Sequence, residues 1–376
     1  CSSDLGTPTF SSPNVVVIIM ESFALEYMGR VNHKKGYMPF LDSLQDKSLF
    51  FPNAFANGRR SIEAVPSILA SLPSLLPEPF LLSDYQSSTL IGLPEVLKKH
   101  GYKTLFFHGA KNGSMFFDTF SARAGVEKYY GINEYPNAKK DYDGAWGILD
   151  EPFFQYMRET LNQTKTPFMA TIFSLSSHQP YPVPENLKAQ FPKGTLDIHQ
   201  SIGYADYSLK KFFEAAKKEP WFANTLFVIT ADHTQQSDDP NYHNDLGTYR
   251  VPIYFYYPGA QWPKINLQNP VEHIDIFPSV LSLLGINSQQ LPETGHSVFS
   301  SQAHFIVNRT GEGYWYLDKQ YFIKMDFQGK INAFKHSNYK NMIEINKSDV
   351  KEQVLKFKSY VQYVNNGVIN NKLVAK

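Results

Sequence analysis

The sequence predicts an α/β protein with a mostly parallel central sheet, followed by a small α+β segment. Three observations carry that expectation. Val15 to Met20 is an unbroken apolar run, mostly β-branched, with no polar alternation. Such a strand is buried on both faces, the situation of a parallel sheet with helices on either side. Strand-like and helix-like segments then alternate to about residue 300, as βα units do in a three-layer fold. Beyond 300 the runs become short, aromatic and separated by turns, the texture of antiparallel strands. The chain is therefore divided into a core over 1–300 and a small antiparallel sheet plus helix over 301–376, packed on that core.

The strand holding Val15 to Met20 ends on Glu21. In open α/β sheets ligands bind at the carboxyl ends of strands, so this carboxylate stands where a site is expected. Residues 39–47 are amphipathic, with Phe40, Leu41 and Leu44 on one face, and Leu49–Phe51 follows as a short strand. Residues 61–72 read as a helix that opens in the polar segment Asn57-Gly58-Arg59-Arg60-Ser61. Helices are expected over 90–100, 151–162, 204–218 and 275–284, the last closed by Gly285. The strands between them are Lys103–His108, 167–175, 225–230 and 251–257. In the last region, 304–308, 314–316, Tyr321–Asp326 and 331–335 read as strands and 349–365 as a closing helix.

Composition excludes several classes. The chain of 376 residues is 42% hydrophobic and 19% charged, without repeats or low-complexity tracts. That is ordinary globular usage. Its 23 Tyr and 29 Phe suit cores and interface edges. Lys+Arg of 36 against Asp+Glu of 35 leaves a net charge of +1. That lacks the basic footprint of a nucleic-acid binder. No run reaches the ~18 apolar residues of a membrane span. The one cysteine is Cys1, which accords with an oxidising compartment. Cys1-Ser2-Ser3-Asp4 reads either as the start of a mature lipoprotein or as a chain cut just after a membrane anchor. Both readings expect an extracytoplasmic domain whose membrane tether lies outside this chain, or is a lipid on Cys1.

Glu21, Asp232 and His233 all stand at expected strand ends. Successive side chains on a strand point to opposite faces, so Asp232 and His233 share a cation only if the chain bends between them. Carboxylate oxygen with imidazole nitrogen suits Mn²⁺ or Zn²⁺, with Mg²⁺ a poorer match. The alternative is a turn-capping aspartate beside a solvated histidine. Ser61 opens a helix, where a serine is ordinarily an N-cap worth about 1 kcal/mol. Its functional reading is a hydroxyl nucleophile at a helix N-terminus, with Arg60 beside it to hold an anionic phosphate. His178 directly follows the strand 167–175, and His243 lies in the polar loop 238–245. One of them would protonate a leaving oxygen and the other bind phosphate or a second metal, or both are ordinary surface.

These segments resemble a known family. Asn14 to Ser22 is similar to the opening of lipoteichoic acid synthase-like, sulfatase-fold proteins of the alkaline phosphatase superfamily. Asn57 to Ser61, with Ala64 to Ser74, resembles their nucleophile helix. The stretch 141–150 with Trp146-Gly147, then Ser176 to Tyr181, Ala231-Asp232-His233 and His273 to Pro278 follow in family order. The resemblance implies a sulfatase/alkaline-phosphatase-like fold and one divalent metal, Mn²⁺ preferred and Zn²⁺ or Mg²⁺ the alternatives, on Glu21, Ser61, Asp232 and His233. It implies catalytic roles for Ser61, His178 and His243, and substrate binding by Arg60, Asp141, Trp146, His178 and His243. The implied activity is phosphoglycerol- or phosphoethanolamine-type transfer, from a phospholipid or other phosphodiester donor to a glycan or polymer acceptor. A phosphodiesterase or phosphatase is the alternative, and a non-catalytic envelope binding protein a third. The family's nucleophile is usually threonine, here Ser61. Ser61 to Val65 lacks the proline and arginine of the Cys/Ser-x-Pro-x-Arg context in which formylglycine sulfatases act, which disfavours that chemistry.

Overall fold

The computed structural model describes residue 10, residues 12–287 and residues 293–373. Cys1, on which the lipid-anchor reading falls, lies outside them. By contact the chain forms two compact units that interleave in sequence: 10–52 with 93–262, and 53–92 with 263 onward. The sequence expectation was a single cut at 300. The contact units group 53–92 and 263–300 with the C-terminal sheet.

The first unit is built on a seven-stranded sheet. Its strands are β1 (Asn14–Met20), β2 (Leu49–Phe51), β3 (Lys103–His108), β4 (Lys128–Tyr130), β5 (Phe168–Phe173), β6 (Thr225–Ala231) and β7 (Ile253–Tyr256). Their spatial order is β2-β7-β6-β1-β5-β3-β4. Only β7 runs against its neighbours, pairing antiparallel with both β6 and β2. β1 is central, flanked in parallel by β5 and β6, and all seven of its residues are buried. The unbroken apolar run has its physical reason there, since neither face of β1 meets water.

Helices Asp150–Asn162 and Ile198–Ala216 belong to this unit. The second starts six residues before the expected 204, because Ile198, His199 and Ile202 are already buried. The helix Pro39–Leu44 begins with proline, and its next two amides donate to the buried Asp206 carboxylate, Phe40 at 2.8 Å and Leu41 at 3.1 Å. β4 was not anticipated; it is a three-residue edge strand.

The second unit carries a five-stranded antiparallel sheet in chain order: β8 (Ile306–Arg309), β9 (Gly313–Leu317), β10 (Tyr321–Asp326), β11 (Ile331–Ser337) and β12 (Lys340–Ile345). Val307, Tyr316, Ile323 and Ala333 form a core with Val354, Phe357, Tyr360 and Val364 of the closing helix Lys351–Ile369. β12 was missed because it is an exposed edge strand with no apolar alternation. The helix expected over 61–72 spans Ser61–Ala70, ending where Ser71 turns left-handed at φ 49°. Two short parallel strands, Ala54–Phe55 and Val271–Glu272, bring the segment before that helix against the turn at His273.

Candidate functional site

β1 and β6 are in register to their last residues, with Met20 opposite Ala231. The residues that follow, Glu21 and Asp232, therefore leave the sheet side by side. The main chain bends immediately after Ala231, which is the condition for Asp232 and His233 to face one point. Glu21, Asp232 and His233 are all buried, and one ligand atom of each lies within 4.8 Å of the others.

The bonds around this trio orient it. His233 Nδ1 donates to the Thr234 carbonyl at 2.7 Å. A carbonyl only accepts, so Nε2 of the neutral ring presents its lone pair. That Nε2 stands 3.2 Å from Asp232 Oδ2 and 3.7 Å from Glu21 Oε1. Asp232 Oδ1 is held by the amides of Ser22 and His233, both at 2.7 Å. Ser22 also donates its hydroxyl to Glu21 Oε1 at 2.7 Å, from a left-handed backbone with φ 59°. Non-glycine residues hold that conformation only where the surroundings enforce it, and such positions cluster at functional sites.

Two buried carboxylates are costly without a cation. Ligand atoms bonded to one small divalent ion lie about 3–4 Å apart, and the two separations from His233 Nε2 fall in that range. The donor set of two carboxylate oxygens and one imidazole nitrogen, its other nitrogen anchored to a carbonyl, fits such an ion.

A second layer braces Glu21. Its amide donates to Ser174 Oγ at 2.9 Å, and Ser177 Oγ donates to its carbonyl at 2.5 Å. The 174–177 loop is fixed in turn by Asp150, whose Oδ1 accepts the amides of Leu175 at 2.7 Å and Ser176 at 3.2 Å. Burial pushes the Asp150 carboxyl up to about 6, and these amides pull it back. The loop leads to His178, which lies edge to face with Trp146 at 4.5 Å between ring centroids. Trp146 donates its indole N–H to the Gln179 carbonyl at 2.7 Å, while Asp143 Oδ1 gathers the amides of Ala145, Trp146 and Gly147 beneath it.

The remaining expected residues fall as follows. Asp141 ends the short helix Ala138–Asp141 and accepts the Tyr135 hydroxyl at 2.6 Å. His243 is exposed in its loop, its amide bonded to the Asp239 carbonyl. Ser61 is not an N-cap. Arg60 occupies that place with extended backbone, and Ser61 is the first helical residue, buried. The amides of the cap residue and the residue before it are taken by Glu63, whose Oε2 accepts Arg59 N–H at 2.9 Å and Arg60 N–H at 3.0 Å. Its Oε1 receives the Arg60 guanidinium at 3.0 Å and the Ser74 hydroxyl at 2.9 Å. Gly58 precedes this turn at φ +98°, and a Cβ there would meet the Glu63 carboxylate at 2.6 Å.

Sequence reasoning missed Ser22, Ser174, Ser177, Asp150 and Glu63. Glu63 carried a readable signal, a glutamate three residues after the cap position. Ser174, Ser177 and Asp150 have partners distant in sequence, and Ser22, though its hydroxyl meets the adjacent Glu21, reaches Asp232 through its main-chain N–H.

A mostly parallel sheet thus carries two carboxylates and an imidazole, grouped as a cation would need them, where two adjacent strands end. The chain belongs to the sulfatase family, whose family model matches residues 13–286. Lipoteichoic acid synthase 2 of Bacillus subtilis (strain 168) is 22% identical over 319 residues, covering 78% of this chain and 48% of that protein. This chain thus spans about half the length of that relative. Among solved structures, the lipoteichoic acid synthase LtaP from Listeria monocytogenes matches with a TM-score of 0.84 and 22% identity, over 96% of this chain and 93% of that one. A protein in the alkaline phosphatase superfamily from Vibrio parahaemolyticus matches with a TM-score of 0.86 and 21% identity, over 98% and 90%. Among the described residues, no helix is long and apolar enough to cross a membrane.

Proposed function

We propose that this chain is the catalytic part of a metal-dependent transferase. It moves a phosphoglycerol- or phosphoethanolamine-type headgroup from a phospholipid to a glycan or polymer acceptor, through a phosphorylated Ser61. The observation that carries the reading is the buried trio of Glu21, Asp232 and His233, with the His233 Nε2 lone pair turned toward two carboxylates. The resemblance of the Ser61 helix to a nucleophile helix, and the lipoteichoic acid synthases among the relatives, supply the reaction class.

A divalent cation on the trio, Mn²⁺ by preference and otherwise Zn²⁺ or Mg²⁺, would supply Lewis-acid charge that lowers a hydroxyl's pKa. The chain's own groups do the rest. Ser61 Oγ forms a bond to phosphorus, and the bond from phosphorus to the lipid alcohol breaks. His178 or His243 gives a proton to that departing alcohol. Arg60 offsets negative charge on the phosphate oxygens. An acceptor hydroxyl, its proton taken by the same histidine, then attacks phosphorus; the bond from phosphorus to Ser61 Oγ breaks, and Ser61 recovers from solvent the proton it gave up in the first attack. Trp146, held against His178, provides a flat wall for the headgroup, and Asp141 is a further substrate contact. The domain works on the extracytoplasmic face of the membrane.

The test is metal content together with phosphodiester turnover, on the wild type and on Ser61→Ala. About one Mn or Zn per chain, with turnover that vanishes in the variant, is the expected result; turnover retained without the serine hydroxyl overturns the mechanism. A phospholipid with a fluorescent acyl tail separates transfer from hydrolysis. Release of the labelled lipid that waits on added glycan marks a transferase, and release in water alone marks a phosphodiesterase.

A further inference from the structure

The segment from Ala56 to Arg60 belongs to no helix or strand, yet it delivers Ser61 to the first turn of its helix. Its backbone is held by side chains from elsewhere. The main-chain N–H of Asn57 donates to His273 Nδ1 at 3.3 Å, while its own side chain donates to Glu272 Oε2 at 2.5 Å and accepts the Ile274 N–H at 3.2 Å. Glu63 takes the Arg59 and Arg60 amides. Between these, Asn308 closes the loop on both sides of Asn57. Its Nδ2–H donates to the Ala56 carbonyl at 2.9 Å, and its Oδ1 accepts the Gly58 N–H at 3.1 Å. Asn308 is fully buried, on β8 of the C-terminal sheet. Strand alternation explains the division of labour. Val307 faces the sheet–helix core, and Asn308 turns to the loop.

We propose that Asn308 is a positioning residue for Ser61, so that the C-terminal antiparallel sheet is part of the catalytic device. This rests on the reading of Ser61 as the nucleophile. A primary carboxamide suits the task because one planar group offers a donor and an acceptor side by side. The backbone it grips includes Gly58 at φ +98°, a conformation with no strand or helix to hold it. Losing the grip leaves a buried amide and carbonyl without partners and frees the loop to relax. Displacements of about 1 Å near reacting atoms cost on the order of a hundredfold in rate.

The experiment compares Asn308→Ala, Asn308→Asp and, as a control, Val307→Ala in the same strand. Amide hydrogen exchange of Gly58 and steady-state turnover of a soluble phosphodiester are read on each. Asn308→Ala is expected to speed Gly58 exchange while β1 and β6 stay protected. It should lower kcat on the order of tenfold to a hundredfold, with KM within about twofold. Val307→Ala is expected to lower the melting temperature without touching Gly58 exchange or kcat. Asn308→Asp, ionised, still accepts from Gly58 but opposes the Ala56 carbonyl, and protonation restores the donor. Its turnover relative to wild type should therefore recover as pH falls. Unchanged Gly58 exchange in Asn308→Ala, or a kcat loss matched by Val307→Ala at equal stability, overturns the proposal. If the wild type shows no Ser61-dependent turnover, the reading of Ser61 falls instead, and Gly58 exchange still decides whether Asn308 holds the loop.

Discussion

Glu63 holds the start of the Ser61 helix, and its substitutions separate its contributions. The carboxylate accepts two main-chain amides on Oε2, and the Arg60 guanidinium and Ser74 hydroxyl on Oε1. Glu63→Gln keeps a carbonyl oxygen for the two amides and loses the charge. The Arg60 side chain is half-exposed, so the ion pair is discounted to about 0.5 kcal/mol. Loss of a negative charge in the first helical turn adds roughly 0.5 kcal/mol. Glu63→Gln is then expected to cost about 1 kcal/mol. Glu63→Ala also removes both amide bonds and the Ser74 bond, at about 1 kcal/mol each, for a total near 4 kcal/mol. Urea unfolding followed by tryptophan fluorescence gives the two free energies, and hydrogen exchange shows whether the loss falls on the Arg59 and Arg60 amides. Equal costs for the two variants, or unchanged exchange at 59 and 60 in Glu63→Ala, would refute the capping argument.

Two further outcomes follow from geometry and charge. Trp146→Ala removes a half-exposed ring, its indole bond to the Gln179 carbonyl and the edge-to-face contact with His178, the last worth about 0.5–1.5 kcal/mol of stability. KM for a phosphodiester should rise about two- to tenfold, partly restored by Trp146→Phe; an unchanged KM removes Trp146 from the binding surface. Asp206 reports on pH. Burial pushes its carboxyl up to about 7, while the Phe40 and Leu41 amides oppose the rise. A carboxyl raised in the folded state binds its proton more tightly there than in the unfolded chain. Its contribution is thus most favourable below about pH 4 and declines as pH climbs toward 7. The wild type should lose on the order of 2 kcal/mol from this group between pH 5 and 7.5, a slope that Asp206→Asn lacks. Identical slopes in urea titrations of the two proteins would contradict the shift.

Much of the fold was legible because burial leaves a local trace. β1 showed itself as six apolar residues with no alternation, since both faces are covered. Lys103–His108, Leu49–Phe51 and Tyr321–Asp326 were read to the residue. β12 was not, because an edge strand exposed on nearly all its residues has no reason to be apolar. Helix starts slipped where a buried face preceded the recognised pattern, as at Ile198.

For the site, chemistry at strand ends was enough to single out Glu21, Asp232 and His233, because a parallel sheet puts the residues after its strands at one edge. That β1 and β6 are neighbours in register is a long-range fact, and it is what brings the three ligand atoms within 4.8 Å. By itself, the sequence determined the α/β class, the strand-end carboxylates and histidine, and the serine at a helix start. Only the tertiary structure decided which groups hold them: Ser22 bridging Glu21 and Asp232, Asp150 fixing the loop to His178, Arg60 rather than Ser61 at the cap with Glu63 reaching back to it, and Asn308 gripping the loop from 250 residues away. The physical reason is that hydrogen-bond partners are chosen by proximity in space, and polar side chains of this kind carry no periodicity from which that proximity can be read.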